Sequence, residues 1–187
     1  MAAGLGGGSA DAAAALRALC ALWRIELSEG ELSSLGARLG ADVPMCLAGR
    51  TLIARGVGEK LSAAPALPAC GVLLVNPGVA LATADVFRAR NAPFAEPRTV
   101  DRPWTDLTGL VAALAARGND LAAPAISLRP VIGDVLAFLG RSEGARYTAM
   151  SGSGATCFAL YDSKAAAERA AATVPAAWWR HAGTFVA

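Results

Sequence analysis

Gly4-Leu5-Gly6-Gly7-Gly8-Ser9-Ala10-Asp11, running on into Ala12-Ala13-Ala14-Ala15-Leu16-Arg17-Ala18-Leu19-Cys20-Ala21-Leu22-Trp23, is the stretch on which the fold turns. Four of the five positions from 4 to 8 are glycine, Ser9 offers a capping hydroxyl, and apolar residues follow at 16, 19, 20 and 23 with helical spacing. The pattern predicts a loop feeding a helix from about Ser9 to Trp23. Such a junction suits an anion, because glycine lets backbone N–H groups turn toward a ligand at close range and the first amides of a helix lack an intrahelical acceptor. Phosphate is the expected guest. The other reading of the same residues is a small-residue turn where a helix packs closely. Neither common phosphate loop matches, since no Gly-Lys-Ser/Thr ending follows and no strand precedes the glycines in this sequence.

Outward from that junction, 187 residues are enough for one large domain or two small ones with a substantial core. The chain is 55% hydrophobic and 17% charged, with a mean hydropathy of +0.43, so a membrane protein has to be excluded on specific grounds. The uncharged run from Leu61 to Ala84 is long enough to span a bilayer, but Pro65, Pro68, Asn76 and Pro77 interrupt it. It is expected to be a loop followed by a strand, in a soluble, cytoplasmic protein with no membrane partner. The first residues lack the charged, apolar and small-residue regions of a signal peptide. Cys20, Cys46, Cys70 and Cys157 have no zinc-type spacing and are expected to be reduced core residues. A net charge of +2 with dispersed arginines gives no basic stripe, which argues against a nucleic-acid partner. The lone histidine, His181, is expected to be structural or solvent-facing.

Further along, Ser28-Glu29-Gly30-Glu31 has capping-box spacing and opens a second helix with Leu32, Leu35 and Leu39 on one face, stopping at Gly40. Gly40-Ala41-Asp42-Val43-Pro44 then sets a carboxylate between a helix end and a proline. Asp42 reads either as a turn residue bonding local backbone or as a carboxylate facing a substrate as general base. Thr51–Arg55 predicts a strand, Gly56–Glu59 a tight turn with a strand beyond it, and Ser62–Ala69 a loop at a domain boundary. The expected domains are 1–63 and 64–187.

In the second domain, Gly71–Val75 predicts a buried strand and Thr83 caps a helix carrying Val86 and Phe87. An exposed loop is expected over Ala92–Pro103, a helix over Asp106–Arg117 with a break at Gly118-Asn119-Asp120, and a helix from about Ala125 to Leu139. Strands at Arg146–Met150 and Ala155–Tyr161, a helix at Ser163–Thr173 and a strand at Gly183–Val186 complete the chain. Between the first two of those strands Ser151-Gly152-Ser153-Gly154-Ala155-Thr156 forms a second small-residue loop. It gains meaning only if the fold brings the two glycine loops together.

Taken in order, Gly4–Ala13, Leu39–Pro44, Gly56–Glu59, Asn119-Asp120-Leu121 and Met150–Thr156 resemble the motifs of the GHMP small-molecule kinases. The likeness is strongest to members that phosphorylate a cytidine diphosphate methylerythritol in non-mevalonate isoprenoid synthesis. The resemblance implies an α+β fold of two parts: a partial ribosomal-protein-like N-terminal domain and a ferredoxin-like C-terminal domain. It implies ATP with magnesium, the phosphates lying on Ala3, Gly4, Leu5, Gly6, Gly7, Gly8, Ser9 and Ala10, with the metal ligands unassigned. Asp42 matches the catalytic aspartate, and Thr83 and Phe87 fall where the substrate approaches; a homodimer is left open by the sequence. Two departures stand out: neither lysine, Lys60 or Lys164, falls in a family motif, and Ala122 replaces the acidic residue usual after Asn119-Asp120-Leu121. The chain is therefore expected to be the C-terminal two thirds of such a kinase; a short, non-catalytic nucleotide-binding protein is the alternative.

Overall fold

Residues 4–56, 58, 60–96 and 103–185 are described by the computed structural model. They form two compact units, one of Gly6–Ala66 and one that joins the first five residues to Leu67–Ala187.

The smaller unit holds helices α1 (Gly7–Trp23), α2 (Glu29–Ala37) and α3 (Val43–Ala48) and the antiparallel hairpin β1 (Leu52–Arg55) and β2 (Lys60–Ala63), with Leu52 opposite Ala63 and Arg55 opposite Lys60. α1 begins two residues earlier than the serine predicts. Gly6, at φ +66°, occupies the cap position and its carbonyl accepts from the Ala10 amide, so Ser9 lies inside the first turn and caps nothing. The capping box of α2 is formed as expected: Ser28 Oγ accepts from the Glu31 amide and the Ser28 amide donates to Glu31 Oε2 at 2.9 Å. α2 ends at Ala37, short of Gly40, and Leu35 and Leu39 stay exposed.

α3 was not foreseen. Its signals are local: Asp42 at the cap, Pro44 in the first turn where no amide partner is lost, and Gly49 at φ +61° closing the end. Val43 and Leu47 pack with Ala13 of α1 into a small core, and Arg17 donates to the Leu47 carbonyl. Gly36 permits the close crossing of α2 and α3, since a Cβ there would lie 2.7 Å from Leu47 Cδ1.

The larger unit is built on a four-stranded antiparallel sheet in the order β4-β5-β3-β6, from β3 (Gly71–Asn76), β4 (Tyr147–Met150), β5 (Cys157–Tyr161) and β6 (Trp179–Thr184). Its central strand β3 reads Gly-Val-Leu-Leu-Val-Asn without polar alternation, and both its faces are covered. Leu73 and Val75 join Cys157, Ala159 and Tyr161 in the main core under α7 (Val131–Arg141) and α8 (Lys164–Ala172); Val72 joins Leu160 against Leu107 and Leu110 of α5 (Leu107–Arg117). Each fully buried aliphatic side chain of this core stabilises the unit by about 1.5–3 kcal/mol.

Two expectations need correction here. The single helix predicted from Ala125 to Leu139 is two, α6 (Ala122–Leu128) and α7, because Pro130 disfavours helical backbone at Arg129, which sits at φ −141° and ψ 85°. The last strand starts at Trp179 rather than Gly183, pairing along β3 from Asn76↔Trp179 to Gly71↔Thr184.

Cys70 and Cys157 are buried and Cys20 and Cys46 half-exposed, all four as free thiols. Burial pushes the Cys157 thiol up to about 12. Iodoacetamide at pH 8 is therefore expected to label Cys20 and Cys46 in the native protein, and Cys157 only after denaturation. Mass spectrometry reads this directly, and early labelling of Cys157 would contradict the packing of β5.

Candidate functional site

In the smaller unit, the site begins at the N-terminus of α1. Gly7, Gly8 and Ser9 supply first-turn amides, the Ala10 amide being the first to find an intrahelical acceptor, and a side chain built at Gly6, Gly7 or Gly8 would meet no atom within 4 Å. No acidic residue lies in that first turn to compete with an anion for the positive end of the helix. The positive-φ glycines are Gly4 and Gly6; Gly7 and Gly8 are helical, so their lack of a side chain keeps the approach open rather than relieving backbone strain. Ala3 lies outside the described residues, and Ser9 and Ala10 are in the helix itself.

Asp42 is exposed, at the cap of α3, and its carboxylate makes no capping bond. The turn predicted around Gly58 lies beside it: Gly58 sits at φ +109°, where a Cβ would come within 3.1 Å of the Ala41 carbonyl oxygen. Burial and, second, the charge of Asp42 raise the Cys46 thiol. Among the described residues the carboxylate has no local backbone partner, so the bond that a turn aspartate would make is absent there.

In the larger unit, the loop after β4 gathers four separate segments. Ser151 Oγ donates to the Gly4 carbonyl at 2.7 Å, and a Cβ on Gly4, at φ +71°, would collide with the Ser151 carbonyl and lie 2.8 Å from that of Gly154. Gly4, the first residue of the first small-residue loop, is thus in contact with the second. Asn119 Nδ2 bridges the carbonyls of Met150 and Gly152 at 2.9 and 2.8 Å, while its Oδ1 accepts from the Leu121 amide. One amide side chain from the turn between α5 and α6 therefore fixes the loop's path. The buried Thr156 accepts from Asn76 Nδ2 at 2.8 Å, and Asn76 Oδ1 accepts from the Gly78 amide.

Thr83 opens helix α4 (Thr83–Ala89) but is not its cap, which is Ala82; instead its hydroxyl lies 2.8 Å from that of Ser153. Phe87, one turn on and on the same face, is exposed and its ring centroid is 6.4 Å from that of Phe94. The resemblance implies that the Ser151–Thr156 loop as a whole supports the active-site cleft; the individual bonds of Ser151, Ser153 and Asn119 depend on partners remote in the chain and have no local signal. His181 stacks on Trp179 along the exposed strand β6. Among the described residues, no group of three or more His, Cys, Asp or Glu side chains could hold a metal, and no helix is long and apolar enough to cross a membrane.

The family of GHMP kinases matches this chain twice, its N-terminal domain over residues 1–50 and its C-terminal part over residues 106–180. A 4-diphosphocytidyl-2-C-methyl-D-erythritol kinase of Paramagnetospirillum magneticum is 50% identical over 182 residues, covering 96% of this chain and 64% of its own length. The enzyme of the same name from Rhodopseudomonas palustris is 50% identical over 197 residues, covering 98% of this chain and 64% of itself. A crystal structure of 4-(cytidine 5'-diphospho)-2C-methyl-D-erythritol kinase superposes with a TM-score of 0.77 at 38% identity, covering 97% of this chain and 66% of that one. A homoserine kinase from Cytophaga hutchinsonii, at 19% identity and a TM-score of 0.66, shares the fold. The chain spans about 64% of the length of the curated relatives it matches.

Proposed function

This chain belongs to the GHMP kinases, and from that premise we propose that the protein transfers a phosphoryl group from ATP to a hydroxyl of a cytidine-diphosphate-bearing methylerythritol, as a cytoplasmic enzyme. The observation that carries the proposal is the open N-terminus of α1, with three glycines whose missing side chains leave space and first-turn amides without intrahelical acceptors. That arrangement fits the terminal phosphates of a nucleotide. Gly4 and Leu5 would lead the chain to it, and Gly6 to Ser9 would supply the donors, with the Ala10 amide closing the first turn onto the Gly6 carbonyl.

Asp42 would be the base. The substrate hydroxyl oxygen forms a bond to the γ-phosphorus while the bond from that phosphorus to the β–γ bridging oxygen breaks, ADP departs, and the hydroxyl proton passes to the Asp42 carboxylate. Most of the rate gain in such a transfer comes from position and charge, so a rigid corner suits Asp42 better than a mobile loop. Magnesium would arrive on the nucleotide's phosphates, where it would neutralise developing charge; the described residues offer no acidic cluster of their own, and a single carboxylate with phosphate oxygens is an ordinary magnesium set. Thr83 and Phe87 would meet the cytidine-bearing substrate.

The test is ADP release in the complete protein with and without the cytidyl substrate. Release that depends on that substrate is expected, and ATP turnover indifferent to it would overturn the assignment. Gly7→Val sharpens the result. Because Gly7 is helical and open, the variant should fold normally yet bind ATP at least about tenfold more weakly, as a branched side chain fills the approach of the phosphates. Equal ATP affinity by calorimetry would reduce the glycine loop to a packing turn.

A further inference from the structure

Thr83 and Ser153 form a pair of hydroxyls 2.8 Å apart, and at that distance either oxygen can be the donor. Their surroundings decide which. Ser153 is 9% exposed, Thr83 lies open at the start of α4, and among the described residues neither hydroxyl has another partner. A hydroxyl sunk in the protein loses free energy if its proton has no acceptor, whereas an exposed one can hand its proton to water or a ligand. The buried Ser153 therefore donates and Thr83 accepts, which turns the Thr83 proton away from the loop and outward.

A hydroxyl can aim its neighbour only if it is itself held, and Ser153 is fixed from both sides. Asn119 Nδ2 donates to the Gly152 carbonyl at 2.8 Å, and the Gly154 amide donates to the Ser151 carbonyl at 2.9 Å. Gly154, at φ +87°, lies so close to Met150 that a Cβ would come within 2.8 Å of its Sδ. Helix α4 does not compete for Thr83, since its cap is Ala82 and no side-chain cap bond forms. We propose that Ser153 is a positioning residue acting through Thr83: it fixes the Thr83 hydroxyl as a donor, so the substrate atom met there is an acceptor oxygen of the cytosine ring or the diphosphate. This rests on the kinase reading above and deepens it by giving the chemistry of the Thr83 contact and the residue that sets it. The consequence is selectivity. Carbonyl and phosphate oxygens only accept, whereas an amino group at the same place would set donor against donor.

The experiment is steady-state kinetics of the complete protein with the cytidyl substrate, alongside calorimetric titration with cytidine diphosphate (CDP), its 2′- and 3′-deoxy analogues, and cytidine. Ser153→Ala frees the Thr83 hydroxyl to rotate and should raise the KM for the cytidyl substrate and the Kd for CDP about two- to tenfold, with kcat and the KM for ATP unchanged. Thr83→Val should do the same. Adding Ser153→Ala to it should change nothing further, because a residue acting through Thr83 has no effect once that hydroxyl is gone. A loss that spares cytidine places the acceptor on the diphosphate and one shared by cytidine places it on the ring; each supports the proposal. Additive effects in the double variant, or thermal stability and ATP affinity falling together, would mark Ser153 as structural and overturn it. So would deoxy analogues insensitive to Ser153→Ala, which put a sugar hydroxyl against Thr83, and a raised KM with unaltered CDP affinity, which puts a methylerythritol hydroxyl there. A Ser153→Ala protein that keeps both constants refutes this inference alone; an unmodified protein that neither binds CDP nor phosphorylates the cytidyl substrate refutes the kinase reading as well.

Discussion

Asp42→Asn is expected to lower turnover by about 10² to 10⁴ while leaving the fold and ATP affinity near their original values. The amide keeps the size and one acceptor oxygen of the carboxylate but cannot take a proton. Asp42 is exposed and makes no side-chain cap to α3, so nothing in the packing of Val43 and Leu47 depends on its charge. Stability changes at such surface positions usually stay within about 0.5 kcal/mol. Steady-state kinetics with thermal unfolding on the same sample separates the two effects. Near-normal turnover in the variant would take the proton-accepting role away from Asp42, and a large fall in melting temperature would recast it as a structural cap.

Gly4→Ala should show the second largest effect. An L residue held in the left-handed region loses about 1–2 kcal/mol, and the added Cβ strikes two backbone oxygens, of Ser151 and Gly154, that cannot swing aside as a side chain would. Overpacking of this kind costs about 1–3 kcal/mol more. Gly6 is the internal control, with φ +66° and no atom within 4 Å of its missing Cβ, so Gly6→Ala carries the backbone cost alone. The expected result is that Gly4→Ala frees the first residues from the Ser151 loop, speeds amide exchange of Gly154, and raises the KM for ATP at least about tenfold. Indistinguishable stability and exchange in the two variants would mean that the Gly4 contact contributes nothing.

Much of this was legible because the informative signals are local. Ser28 and Glu31 announce their helix by spacing alone, Gly71–Val75 announces a strand buried on both faces, and the order of five short motifs identifies the family. What stayed hidden depends on contacts across the chain. That Ser9 is not a cap follows from the left-handed backbone of Gly6, and no composition argument distinguishes Gly4 and Gly6 from Gly7 and Gly8. Thr83 reads as a cap until Ser153, 70 residues away, claims its hydroxyl. Asn119 looks like a turn residue; its function in the fold lies in two carbonyls more than 30 residues further on. Leu35 and Leu39 illustrate the converse, since helical spacing gave them a core face, yet Leu35 within α2 and Leu39 beyond its end are both exposed. The helix break at Arg129 could have been read from Pro130, and the short helix after Asp42 from Pro44 and Gly49.

The chain passes between its two units twice, once near residue 5 and once near residue 66. Seen as a polymer, Gly6–Ala66 is a closed loop whose first end is fastened by the seat of Gly4 under Ser151. If those roughly 60 residues unfold while both ends remain fastened, the closure costs on the order of 3–4 kcal/mol of chain entropy. The hydrogen bond from Ser151 to the Gly4 carbonyl, worth about 1 kcal/mol, offsets only part of that cost. Unfolding of Gly6–Ala66 and loss of the Gly4 seat are therefore coupled through the entropy of the chain that joins them.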